Sequence, residues 1–200
     1  MDESRRNILK KKRERDQKKQ EISSYCNQHL IPWLEIYRSL NRKNAEFQLE
    51  YLAASLDEPM DLFEETLISI LPESEHGLID GLLQAPVLPV HQKMEQAFPS
   101  RQKLRYLPGK AALKRDPDVS KMVDRALGEL SISADEECMI CYSIYTPVVT
   151  MRVSEMLRCS TTLFEPPENV AVLAKNYNWI IFRSLEEEWI WQKKLANNSI

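Results

Sequence analysis

The chain has 200 residues, 43% of them hydrophobic and 28% charged, so it can bury a sizeable core, while its mean hydropathy of −0.44 disfavours a membrane protein. No stretch approaches the ~20 apolar residues of a membrane span. The formal net charge is only −3, and four glycines (Gly77, Gly81, Gly109, Gly128) with neither GxGxxG nor GxxxxGK[ST] argue against phosphate-binding nucleotide folds.

Charge falls in blocks along the chain. Residues 1–20 hold nine Lys or Arg against four Asp or Glu, and no apolar residue lies between Lys10 and Glu21. A helix here is polar all round and has no stripe to bury, so residues 1–20 are expected as a basic arm, helical or disordered. The arm has no apolar run of a secretory signal. The four cysteines therefore read as reduced thiols, and the expected compartment is the nucleus or cytoplasm.

From Ile22 the apolar residues Cys26, Leu30, Trp33, Leu34, Tyr37 and Leu40 recur at helical spacing, with Pro32 kinking the helix or starting a new one. A second helix is expected near Ala45–Leu56. A third follows Asp57, a capping residue, with Pro59 suited to its first turn, and runs to Leu71. A short helix ending near Leu83 and an extended connection over residues 85–90 come next. Residues 44–92 contain ten acidic residues and no Lys or Arg, whereas residues 93–115 hold seven basic residues and one acidic.

Asp116-Pro117-Asp118 starts a helix carrying Val119, Met122, Val123, Ala126, Leu127 and Leu130. Residues 134–145 read as helix or, given the Met139-Ile140-Cys141-Tyr142 composition, as a buried strand. Pro147 opens the stretch 148–159, a helix to about Lys175 follows Pro166-Pro167, and a last helix spans Trp179–Leu195 with Ile181, Leu185 and Trp189 on one side. The fold class read from this pattern is mainly α: an irregular multi-helix bundle over residues 21–200, with a sub-boundary near 85–117, and a basic arm in front.

The residues that carry chemistry are sparse. Cys26-x-x-His29 and Cys138-x-x-Cys141 supply four ligand types suited to zinc, but both pairs sit in apolar segments, where cysteine packs as a small hydrophobe. No metal, cofactor or catalytic residue is therefore assigned, and no enzyme is expected. The cations are assigned instead. In the arm they are Arg5, Arg6, Lys10, Lys11, Lys12, Arg13, Arg15, Lys18 and Lys19. In the second block they are Arg101, Lys103, Arg105, Lys110, Lys114 and Arg115, with Tyr106 able to stack on a base. The Trp-rich stretch 179–191 and the acidic–apolar stretch 56–71 read as core helices or partner-binding helices. The function expected is a non-catalytic regulatory or assembly factor. Its helical body binds protein, and its arm contacts nucleic acid or directs nuclear entry. The alternative is a protein–protein adaptor with an inert arm. Self-association is left open.

Overall fold

The computed structural model describes residues 3–51, 60–79, 88–98, 100–102, 105–108, 114–142, 146–164 and 169–194. Helix α1 (Glu3–Tyr25) passes through one turn of π-helix (Cys26–Leu30) into α2 (Ile31–Arg42). The backbone stays helical across the junction, with Leu30 at φ −73° and ψ −44°. Pro32 lacks an amide N–H and its ring crowds the preceding turn, and the wider π-turn sits where that crowding falls. The arm is thus continuous with the body: α1 crosses residue 20 without a break, and Ile22 and Cys26 are already buried. The 3–42 rod ends in a Schellman closure, in which Ala45 N–H donates to Leu40 O and Asn44 N–H to Asn41 O, with Asn44 at φ 49°.

The mainly α, all-helical bundle expected from the sequence is overturned. The body is mixed α/β, built on a seven-stranded sheet with order β1-β6-β5-β7-β8-β9-β4. Its strands are β1 (Phe47–Tyr51), β4 (Lys114–Arg115), β5 (Glu137–Cys141), β6 (Val148–Arg152), β7 (Val170–Ala174), β8 (Trp179–Arg183) and β9 (Glu188–Lys193). Every neighbouring pair is antiparallel. A separate two-stranded ladder joins β2 (Ser100–Gln102) to β3 (Arg105–Pro108).

One face of the sheet lies under helices. Cys138, Ile140, Val172, Ile181 and Trp189 pack with buried residues of α2, α3 (Met60–Ile70), α5 (Val119–Leu130), α6 (Val153–Arg158) and α7 (Ser160–Phe164). The other face, with Met139, Leu173, Ile180 and Phe182, is covered by Val90, Met94 and Phe98 from α4 (Leu88–Ala97) and the residue after it. At the central strands both faces are dry, so β5, β7 and β8 need apolar side chains at nearly every position, and β7, Val-Ala-Val-Leu-Ala, is buried throughout. Such runs lack the polar alternation of a half-exposed strand.

The individual corrections follow from this sheet. The helix expected near residues 45–56 is β1 as far as Tyr51, and residues 52–56 lie outside the described residues. Within residues 134–145, Glu137–Cys141 form β5, the strand alternative, while residues 143–145 lie outside the described residues; residues 148–152 form β6 before α6 begins. The helix expected up to Lys175 is β7. The last helix is the β8–β9 hairpin, in which Ile181 and Trp189 reach the same face from separate strands and Leu185 is exposed at the turn. That turn holds Glu187 at φ 60°, and the Ser184 hydroxyl accepts from the Glu186 and Glu188 amides. In the 85–90 connection, residues 88–90 are the first turn of α4, where Pro89 has no amide partner to lose.

α3 and α5 lie where the sequence places them. Asp118 caps α5, its carboxylate accepting from the Lys121 amide at 3.0 Å.

Candidate nucleic-acid interface

α1 holds nine of the assigned cations, and their environments divide it in two. Near its C-terminal end the helix is docked. Arg15 pairs with Asp61 at 3.3 Å and Glu65 at 3.0 Å on α3, and Lys19 reaches Glu65 at 2.7 Å. The Lys19 hydrogen bond, ahead of the opposing effect of burial, holds the Glu65 carboxyl below its ordinary value. Lys18 is half-buried, and Ile22 closes the contact.

Further toward the N-terminus the helix is bare. Every side chain from Arg5 to Gln17 is exposed, including Ile8 at 64% and Leu9 at 45%. Lys10 meets Glu14 only at 3.9 Å along the helix. Arg5, Arg6, Lys11, Lys12 and Arg13 have no hydrogen bond or ion pair among the described residues. The apolar pair Ile8-Leu9 is the part of this segment that sequence reasoning passed over, although two apolar residues inside a charge run were its signal.

The second basic block is dispersed. Arg101 lies on β2, Arg105 and Tyr106 lie on β3, and Lys103 and Lys110 lie outside the described residues. Lys114 and Arg115 form β4 and are spent within the fold. Lys114 Nζ donates to Glu129 at 2.9 Å and sits 3.8 Å from the Trp191 ring centroid, and Arg115 forks onto Glu188. Glu129 also accepts from Arg125 and from Trp191 Nε1; these partners, Lys114 first, hold its carboxyl at about 2. Trp191 is therefore part of an edge clamp. Among the described residues, the elements of the two basic blocks make no extensive packing contact with one another.

The thiol and imidazole groups do not assemble. Cys138 and Cys141 lie on opposite faces of β5, in separate core clusters, and cannot ligate one ion. No metal-ligand group of three is found among the described residues. Burial pushes the thiols of Cys26, Cys138 and Cys141 up to about 12 from 9.0. An acid whose folded pKa is raised adds stability that is complete below its unfolded value and lost as pH rises through the folded one. Stability measured by urea titration should therefore decline from pH 9 towards pH 12. At pH 8 a thiol-specific disulfide reagent should label these three cysteines only after urea unfolding; rapid labelling of the native protein would contradict their burial.

A groove of about 570 Å³ lies between α2 and the 3₁₀ turn at Glu73–Leu78. Arg38 at its wall forks onto Glu75, Nε to Oε1 at 2.6 Å and Nη2 to Oε2 at 2.7 Å, so its charge is already matched. That pair locks the turn to α2. Among the described residues no helix is long and apolar enough to cross a membrane.

Among the described residues, the bare half of α1 is where assigned cations stay exposed. Compared with known proteins, the chain matches no family model, no curated protein and no solved structure.

Proposed function

We propose that the protein is a non-catalytic nucleic-acid-binding factor. Its freestanding helix over residues 3–14 contacts the phosphate backbone, and the mixed α/β body anchors that helix and carries surfaces for protein partners. The observation that supports this reading is the set of five exposed cations, Arg5, Arg6, Lys11, Lys12 and Arg13, without a hydrogen-bond or ion-pair partner among the described residues.

No described residue of the folded chain pairs with these charges. Arg5 and Arg6 stand in the first turn, where the helix dipole disfavours cations, and Lys10–Arg13 repel one another. An isolated polar helix of this length is marginal in water, so it persists as an extension of the docked segment that follows. A polyanion relieves the repulsion and releases counterions in exchange.

Deleting residues 1–14 tests the proposal. The side chains of residues 5–14 are all exposed, so stability should change by no more than about 0.5 kcal/mol, a shift in Tm of roughly 1–2 °C. Binding to a labelled nucleic acid at low salt, followed by fluorescence anisotropy, should disappear. Undiminished binding by the truncated protein would refute the assignment of the arm and favour an adaptor with an inert arm.

A further inference from the structure

Resting on that reading of the arm, we infer that its partner is B-form duplex DNA, entered through the major groove by the helix of residues 3–14. Three features of this segment, taken together, point to a groove with two charged walls. The first is the distribution of the cations. Successive side chains step by about 100° round an α-helix, so Arg5, Arg6, Lys10, Lys11, Lys12 and Arg13 surround it on all sides. A helix lying on a flat anionic surface, or across a single strand, needs cations on one side only. A helix of about 10–12 Å diameter fills a major groove about 12 Å wide and meets a phosphate wall on either side.

The second feature is the exposed apolar pair. Ile8 is 64% and Leu9 45% exposed, and apolar side chains in the major groove can contact thymine methyl groups. The third is Asn7, the one amide between Arg5 and Arg15, which is exposed, lies nearer to Ile8 than to Leu9 round the helix, and is of the type that pairs with an adenine edge. The A-form duplex of RNA has a major groove too narrow for a helix, which separates the two duplexes. Where the arm reaches the body, Asp61 and Glu65 take up Arg15 and Lys19, so the DNA-facing segment ends before Arg15.

Helix and charge are separable by experiment. Leu9→Pro leaves every charge in place but breaks the helix between Arg5-Arg6 and Lys10–Arg13, whereas Leu9→Ala keeps the helix and trims the same side chain. The full chain and both variants are titrated by anisotropy against a DNA duplex of about 20 base pairs, the same sequence as duplex RNA and as single-stranded DNA, at matched salt. Wild type is expected to bind duplex DNA about tenfold or more tighter than the other two. Leu9→Pro should lose about tenfold or more on duplex DNA, with Leu9→Ala losing only about threefold or less. Equal binding to all three probes, with Leu9→Pro no weaker than Leu9→Ala, means a flexible phosphate tether: the major-groove inference falls while the nucleic-acid reading stands. No binding to any of the probes removes both.

Discussion

Trp189→Ala is expected to destabilise the protein by about 3–5 kcal/mol, lowering Tm by roughly 6–20 °C. Trp189 is 0% exposed on β9, its ring packs on Phe164 with centroids 5.2 Å apart, and the Arg183 guanidinium lies 5.9 Å from its centroid. Truncation to Ala empties the space between the sheet and α7, and the flanking strands hold that space open. The indole Nε1 is buried without a hydrogen-bond partner among the described residues, so Trp189→Phe sacrifices packing but no hydrogen bond and should lose far less. Melting curves followed by circular dichroism separate the two. A shift below about 2 °C for Trp189→Ala would mean that this tryptophan faces solvent or a partner rather than the interior.

The same residue shows where the sequence could be read and where it could not. Ile181, Leu185 and Trp189 are spaced by four, which mimics one side of a helix, and the glutamates at 186–188 look like its solvated face. In the fold those glutamates follow Ser184 through a hairpin turn in which Glu187, not glycine, adopts the left-handed conformation. Tyr177 does the same between β7 and β8. With only four glycines in the chain, the turns carry few of the signals that normally mark a hairpin. Burial on both faces then removes the period-two pattern from β5, β7 and β8. β1 is different: Phe47-Gln48-Leu49-Glu50-Tyr51 alternates as an edge strand should, and the helical reading overlooked it.

The legible elements are those whose information is local. α5 has its Asp118 cap and an apolar stripe through Met122, Ala126 and Leu130, and α3 opens near Pro59 and stops at Pro72. The arm was legible as a charge block, because a polar-all-round segment cannot pack. Which of its cations stay available was not legible, since Asp61 and Glu65 lie more than forty residues away in the chain. The 101–115 block presented the same difficulty, with Lys114 and Arg115 consumed by partners on α5 and β9. Charge composition reports how many cations exist, while tertiary structure decides how many are spent.

That distinction fixes the size of the electrostatic effect. With both basic blocks free, many phosphate contacts would be expected; with Arg15, Lys19, Lys114 and Arg115 engaged internally, the five arm cations that pair with no described residue dominate. Each phosphate neutralised on duplex DNA contributes about −0.9 to the slope of log K against log salt, so five give a slope of about −4 to −5. Replacing Arg5, Arg6, Lys11, Lys12 and Arg13 together with Gln leaves the helix propensity nearly unchanged and should bring the slope to about −1, the share that Lys10 can still supply. The most direct measurement is this salt titration, wild type beside the five-Gln variant, by fluorescence anisotropy on one labelled DNA duplex. The account predicts a wild-type slope of about −4 to −5 that collapses in the variant. A wild type that does not bind at low salt, or a variant that keeps the wild-type slope, would contradict it.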